Sequence, residues 1–470
     1  MNVRVRFSQI KRMNKAKPNI LYVFADQWPA HVLGYAGNPD VRTPNLDALA
    51  AESIHCPVAI ANNPVCTPSR ATLLTGQLPD RHGLFLNDAP LDPKIKTMGE
   101  YFSSLGYATA YIGKWHVDGH GRSCYIPPER QHGFAYWKAL ECTHSYHQSR
   151  YYAGDDPTPK TWESYDAIAQ TDDAINYLRN HATEHPFFMM LSWGPPHNPY
   201  HTAPETYRAW YQPDSLTLRD NVPADFQEEA REILAGFYAH CSALDACIGR
   251  LTTALETLGL AENTILIFTS DHGDHLGSHY LLDKQSPLDE SLRIPFLMRW
   301  PDKLKPGNNA TVFSVLDVFP TLCGLVNSGP PEALQGRDFS LQFLHGEAPP
   351  EDQNMGFCAN YHVFGNWPMQ HLKKPVPEHL RAREFRGLRT PRYTYCEDLH
   401  GPWLLFDNQE DPCQLNNLIN QPGHRVLQAE LSENLRQCLR HYGDEFKPGM
   451  DYVRDWGYQV NESGTIDFHS

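Results

Sequence analysis

At 470 residues the chain is too long for one average domain and too short for an assembly of many modules, so one large domain with a smaller companion is expected. Hydrophobic residues at 41% and charged residues at 20% support a packed core and exclude a disordered chain. Forty basic against 55 acidic residues give a formal charge of −15, the wrong balance for a general nucleic-acid binder.

The first residues carry positive charge without an apolar segment, so no secretory signal is expected. No stretch reaches the ~20 apolar residues of a membrane span. The expected location is the cytoplasm, or the periplasm or exterior if translation starts elsewhere; Met13 is an alternative start. Eleven cysteines, an odd number scattered along the chain, give no disulfide framework.

Asn19 to Ala25 is a short apolar run that reads as a buried parallel strand delivering Asp26 at its carboxyl end. Thr43 and Pro44 predict a capped helix over Asn45 to Ile54, with Leu46, Leu49 and Ala50 on one face. Thr67 to Thr75 reads as the first turns of another helix, with Pro68 near its first position. Further strands are predicted at Tyr107 to Ile112, running into Gly113-Lys114-Trp115-His116, and at Pro186 to Trp193, running into Gly194-Pro195-Pro196-His197. Thr264 to Ser270 is another, ending in Asp271-His272-Gly273. Helical patterns cover Ala167 to Asn180 and Phe226 to Leu258. Strands alternating with helices imply a mostly parallel sheet covered on both faces, whose functional groups gather beyond the strands' carboxyl ends.

Gly, Pro and Glu cluster near residues 327 to 356 and mark a domain boundary. The expected division is an extension over 1–18, a catalytic α/β domain over 19–350 and a smaller α+β domain over 351–470. The last carries adjacent antiparallel strands over Gly387 to Glu397 and Trp403 to Phe406, then a closing helix from Arg425 to Tyr442.

Cys66-Thr67-Pro68-Ser69-Arg70 is the sharpest short motif: a thiol at a helix N-terminus with an arginine one turn along on the same side. Alone it reads as a buried structural cysteine or as a nucleophilic thiolate. Glu141 to His147 mixes aromatic rings with polar donors, so His144 and His147 are candidate substrate contacts, although a plain surface loop fits equally. His275 and His279 are candidates for the mouth of the site, and Cys142, Cys241 and Cys247 read as packing residues.

Together these segments resemble the type I sulfatases of the alkaline phosphatase superfamily. Cys66 matches the family's cysteine that is oxidised to formylglycine, and Leu73-Leu74-Thr75-Gly76 matches the second half of that signature. Gly113 to His116, Pro195 to His197 and Ser270 to Gly273 follow in the family's order, and Lys284 lies where the family carries a sulfate-binding lysine. Arg389 to Tyr395 and Leu405 to Pro412 resemble second-domain elements, so the likeness spans roughly residues 18 to 420.

The resemblance implies an alkaline phosphatase-like fold and a sulfatase that hydrolyses a sulfate ester, of a small molecule or a saccharide, after a maturation enzyme has oxidised Cys66. It implies one divalent ion, Ca²⁺ first with Mg²⁺ or Mn²⁺ as alternatives, held by Asp26, Gln27, Asp271, His272 and the oxidised Cys66. Arg70 would position the aldehyde hydrate and Lys114 and Lys284 would neutralise the sulfate. His116 would deprotonate the second hydroxyl, and His197 with Lys284 would protonate the leaving alcohol. Gln27 and His272 depart from the commonest pattern, which has a second aspartate and an asparagine there. Those departures keep open a phosphonate monoester or phosphodiester hydrolase on the same scaffold. A non-catalytic sugar-binding relative is the remaining alternative. No nucleic-acid or membrane partner is expected.

Overall fold

The computed structural model describes residues 17–181, 185–365 and 378–467; residues 1–16 of the expected N-terminal extension lie outside them. A ten-stranded mixed sheet forms the centre. Its middle is five parallel strands, in the order Thr264–Ser270, Asn19–Asp26, Phe187–Pro196, Ala108–Lys114 and Tyr136–Leu140. Antiparallel strands Phe296–Arg299 and Arg150–Ala153 extend it on either side.

Alternation along the first strand shows why both faces must be covered. Ile20, Tyr22 and Phe24 enter one hydrophobic core, and Leu21, Val23 and Ala25 enter the other. The helices Cys66–Thr75, Met98–Ser104 and Val315–Leu325 fill the first core; Pro44–Ala51, Asp166–His181 and the long Gln227–Thr257 fill the second. Every residue of Cys66–Thr75 is buried, and the helix stops at Gly76 in the left-handed region (φ 62°), where a Cβ would press on Leu334.

A separate antiparallel sheet contains Gly356–Asn360, Phe385–Arg389, Tyr393–Asp398 and Gly401–Asp407. One face packs on the helix Arg425–Tyr442 through Leu431 and Leu435. The other packs on Ile60, Leu288 and Leu292 near the main sheet. The buried Arg389 forks onto Asp289 at 3.0 and 3.1 Å and ties the two parts together.

Several local expectations need correction. The first helix ends at Ala51, and Ile54–His55 pairs as a strand. Thr43 does not cap that helix: its hydroxyl accepts from the Gly34 N–H and donates to Asp47. The cap comes instead from Asp245, which accepts the N–H groups of Asn45 and Leu46 at 3.2 and 2.7 Å. Pro68 is the third helical residue, not the first. The stretch 387 to 397 is two strands joined by a turn, and the strand Gly356–Asn360 and helix Gly449–Asp455 add to the predicted elements. Among the described residues no helix is long and apolar enough to cross a membrane.

Candidate active site

Asp26 ends one strand and Asp271 follows the adjacent parallel strand, the two paired up to Ala25 opposite Ser270. The strand register therefore brings their two buried carboxylates side by side. Arg70, 1% exposed, resolves the repulsion: its Nε donates to Asp271 Oδ2 at 2.8 Å and its Nη2 to Asp26 Oδ2 at 3.1 Å. The remaining Nη1 donates to the Lys114 carbonyl and to Ser192 Oγ, both at 2.8 Å.

With the outer carboxylate oxygens bound to Arg70, the inner ones face Cys66 and His272. Cys66 Sγ lies 3.8 Å from Asp26 Oδ1 and 3.2 Å from His272 Nε2. His272 Nε2 is 3.6 Å from Asp26 Oδ1 and 3.7 Å from Asp271 Oδ1. The Gly273 carbonyl, 2.9 Å away, can only accept, so His272 Nδ1 carries the proton and Nε2 offers its lone pair. Ligand atoms of Asp26, Cys66, Asp271 and His272 all lie within 4.8 Å of one another, a donor set that fits one divalent ion.

Gln27 sits beside this quartet with φ 72°, a conformation its own side chain does not favour. Its N–H donates to Asp271 Oδ1 at 3.1 Å. Its side-chain oxygen accepts from Lys284 and its side-chain nitrogen donates to Asp274. An amide oxygen has two lone pairs, so the bond from Lys284 leaves one for an ion.

These groups open onto a cavity of about 360 Å³ whose lining includes Cys66, Lys114, His116, His144, His197 and Lys284. Lys114 Nζ bonds Asp26 Oδ2 at 2.6 Å. Lys284 Nζ lies 2.9 Å from His197 Nε2, and His197 Nδ1 lies 3.0 Å from the Asn198 carbonyl. Ammonium and carbonyl fix the tautomer: Nδ1 donates and Nε2 accepts the lysine proton. His144 stacks on His197 with ring centroids 4.6 Å apart.

Electrostatics follow from burial among cations. Burial raises the Cys66 thiol, but Lys284, Lys114 and His272 outweigh it and hold it well below the usual thiol range. Burial and Cys66 push the Asp26 carboxyl up, yet Lys114, His197 and Arg70 bring it below the usual carboxylate range. Burial and the neighbouring Lys284 drive His197 down to about 3, so its imidazole is neutral. His116 goes the other way. Burial lowers it, but Cys142, Asp88 and Cys66 raise it to about 9, and both ring nitrogens lack a close hydrogen-bond partner.

Not every sequence candidate joins this cavity. His147 bonds the Thr202 carbonyl at 2.7 Å and is not among the lining residues. His275 pairs with Ser286, and His279 with Asn221 and the Cys413 carbonyl, away from the mouth. Cys241 and Cys247 are core residues, whereas Cys142 lines the cavity rather than merely packing. Asp88 and Arg122, which carried no motif, also line it, joined by a two-bonded fork at 2.9 and 2.8 Å. Asp88 Oδ1 lies 3.5 Å from His116 Nε2. The pairing of Lys114 with Leu140 carries His116 and Cys142 past the same sheet edge. That signal was hidden because Tyr136–Leu140 has no distinct strand pattern.

The sulfatase family profile matches residues 18–328, and that of the N-sulphoglucosamine sulphohydrolase C-terminal region matches 277–441. An ulvan-active sulfatase of Formosa agariphila is 42% identical over 448 residues, covering 94% of this chain and 85% of its own. A solved structure from Bacteroides thetaiotaomicron, described under the metabolism of multiple glycosaminoglycans, superposes with a TM-score of 0.81 at 29% identity, covering 94% of this chain and 99% of its own. The phosphonate monoester hydrolase of Agrobacterium radiobacter shares the fold at a TM-score of 0.72 and 23% identity, covering 97% of this chain and 100% of its own.

The carboxylate pair gives a direct test. Lysine in place of Arg70 keeps one charge but cannot fork onto both carboxylates. Arg70→Lys is expected to weaken Ca²⁺ uptake by about 10- to 100-fold in calorimetric titration. An unchanged affinity would show that Arg70 does not organise the ion site.

Proposed function

The chain belongs to the sulfatase family and is a sulfuric ester hydrolase, and from that premise we propose that it releases sulfate from a sulfated carbohydrate using Cys66 oxidised to formylglycine beside one divalent ion. The observation that carries this reading is the single cavity in which Cys66, a four-donor ion site and the cations Lys114 and Lys284 converge. The ulvan-active relative supports a carbohydrate substrate.

When bound, the ion, Ca²⁺ by preference for its oxygen-rich set, adds positive charge against the sulfate oxygens. Asp26, Asp271, His272 and Gln27 would hold it. The oxidised side chain of residue 66, installed by a maturation enzyme, supplies the attacking hydroxyl as its hydrate. Arg70 aligns both carboxylates at the head of the Cys66 helix and favours their ionised forms, against burial and mutual repulsion that raise Asp271. Lys114 and Lys284 offset charge on the sulfate oxygens and orient the ester. The proton for the leaving alcohol starts on Lys284, whose ammonium already donates to His197 Nε2. His116 takes the proton from residue 66 that lets sulfate depart. Oxidation of Cys66 removes the smallest of the groups that raise its affinity for protons, while Cys142 and Asp88 remain. The catalytic unit is residues 19–350 and the C-terminal unit 351–470, a division supported by the separate sheet that begins at Gly356.

Protein made with a maturation enzyme is expected to show the Cys66 peptide about 18 Da below its thiol mass. Cys66→Ala should abolish sulfate release from p-nitrophenyl sulfate; retained activity would refute the reading. A matching phosphonate monoester should turn over more slowly than this sulfate, and the reverse order would favour the phosphonate hydrolase alternative.

Proton donation matters most for a poor leaving group. His197→Ala is therefore expected to lower kcat for sugar sulfates by about 100-fold, and for p-nitrophenyl sulfate by less than about tenfold. Equal losses on both would remove His197 from the proton path.

A further inference from the structure

We infer that the turn Asn461–Thr465, near the end of the chain, is a wall of the substrate pocket that accepts hydrogen bonds from the hydroxyls of the sulfated sugar; this rests on the carbohydrate reading above. Ser463 and Thr465 line the same cavity as Cys66 and Lys284, although about 180 residues separate Lys284 from the turn.

The turn is built to present its side chains. Asn461 Oδ1 accepts from Ser463 Oγ at 2.7 Å and from Thr465 Oγ1 at 2.9 Å. It also accepts from the Ser463 and Thr465 N–H groups at 3.0 and 3.3 Å, while Asn461 Nδ2 is anchored to Asp467 at 2.8 Å. A hydroxyl has one proton and two lone pairs. The two hydroxyls also lie 3.0 Å apart, so one proton goes to Asn461 and the other can lie between the hydroxyls, and each oxygen keeps a lone pair for a donor in the cavity. An acceptor wall disfavours the sulfate anion and suits neutral hydroxyl donors, which a sugar carries and a simple aryl sulfate lacks.

The wall is also fixed relative to the chemistry. The Gly365 N–H donates to the Ser463 carbonyl at 2.8 Å, and His362 Nε2 donates to the Gly464 carbonyl at 3.0 Å. Gly464 has φ 72°, and a Cβ there would lie 2.8 Å from His362 Nε2, so the close approach requires glycine. Phe364 is in turn bonded to Gln285, the neighbour of Lys284, by Nε2 to its carbonyl at 2.7 Å and by its N–H to Oε1 at 3.4 Å. Two hydrogen-bonded steps, Ser463 to Gly365 and Phe364 to Gln285, thus link the turn to the residue beside Lys284.

The test compares matured wild type with Ser463→Ala/Thr465→Val, which removes both hydroxyls, and with Ser463→Thr/Thr465→Ser, which keeps them. The probes are p-nitrophenyl sulfate and the hexose sulfate that wild type hydrolyses fastest in a panel sulfated at each position. The hydroxyl-free variant is expected to raise KM for the hexose sulfate about tenfold with kcat within about twofold. The ratio of kcat/KM for hexose sulfate to that for p-nitrophenyl sulfate should fall about tenfold, and the hydroxyl-keeping variant should restore it. An unchanged ratio, or one lowered equally in both variants, would overturn the inference while leaving the sulfatase reading intact. Wild type that cleaves p-nitrophenyl sulfate but no hexose sulfate would instead refute the carbohydrate reading, and the inference with it.

Discussion

Two carboxylates buried side by side at the ends of neighbouring parallel strands repel each other unless something holds them, and here that is one guanidinium. Arg70 binds Asp26 and Asp271 through their outer oxygens and uses its remaining nitrogen on the Lys114 carbonyl and Ser192 Oγ. These four partners lie on, or directly after, the strands Asn19–Asp26, Thr264–Ser270, Ala108–Lys114 and Phe187–Pro196. One side chain therefore ties together four neighbouring strands. Because Arg70 lies one helical turn beyond Cys66, the same contact sets where residue 66 enters the site. Removing one partner from a buried charge network costs about 3–5 kcal/mol, so the arrangement is fixed before any ligand arrives.

The cations on the far side of Cys66 complete the logic. Lys114 and Lys284 face an inner site that contains carboxylates and pair there with Asp26 and Gln27. An arriving divalent ion and sulfate would exchange these partners for stronger ones at little cost in reorganisation. The same cations hold the Cys66 thiol well below its usual range, and a thiolate is the more readily oxidised form.

Much of this was legible in the sequence because parallel strands buried on both faces leave short apolar runs that end abruptly in charge. Asp26 and Asp271-His272 were visible for that reason, as were the helices at Asp166–His181 and Gln227–Thr257, whose apolar periodicity is long. Less legible were features set by distant partners. Asp245 takes over the cap that Thr43 promised, 200 residues away from Asn45. Asp88, Arg122 and Cys142 reach the cavity through loops whose local sequence resembles any surface loop, and the Asn461–Thr465 turn does so from the far end of the chain. His147 illustrates the converse: its aromatic and polar neighbourhood looked like a sugar site, yet its ring nitrogen is occupied by the Thr202 carbonyl.

The central claim is that residue 66, one cation and a sulfate share a single pocket organised by Arg70. Anomalous diffraction from crystals of the matured protein grown with Ca²⁺ and sulfate tests it most directly. One ion is expected about 2.3–2.6 Å from an oxygen of both Asp26 and Asp271, with sulfate between Lys114 and Lys284. A cation bound elsewhere while Arg70 still holds the two carboxylates, or a sulfate remote from residue 66, would contradict the account.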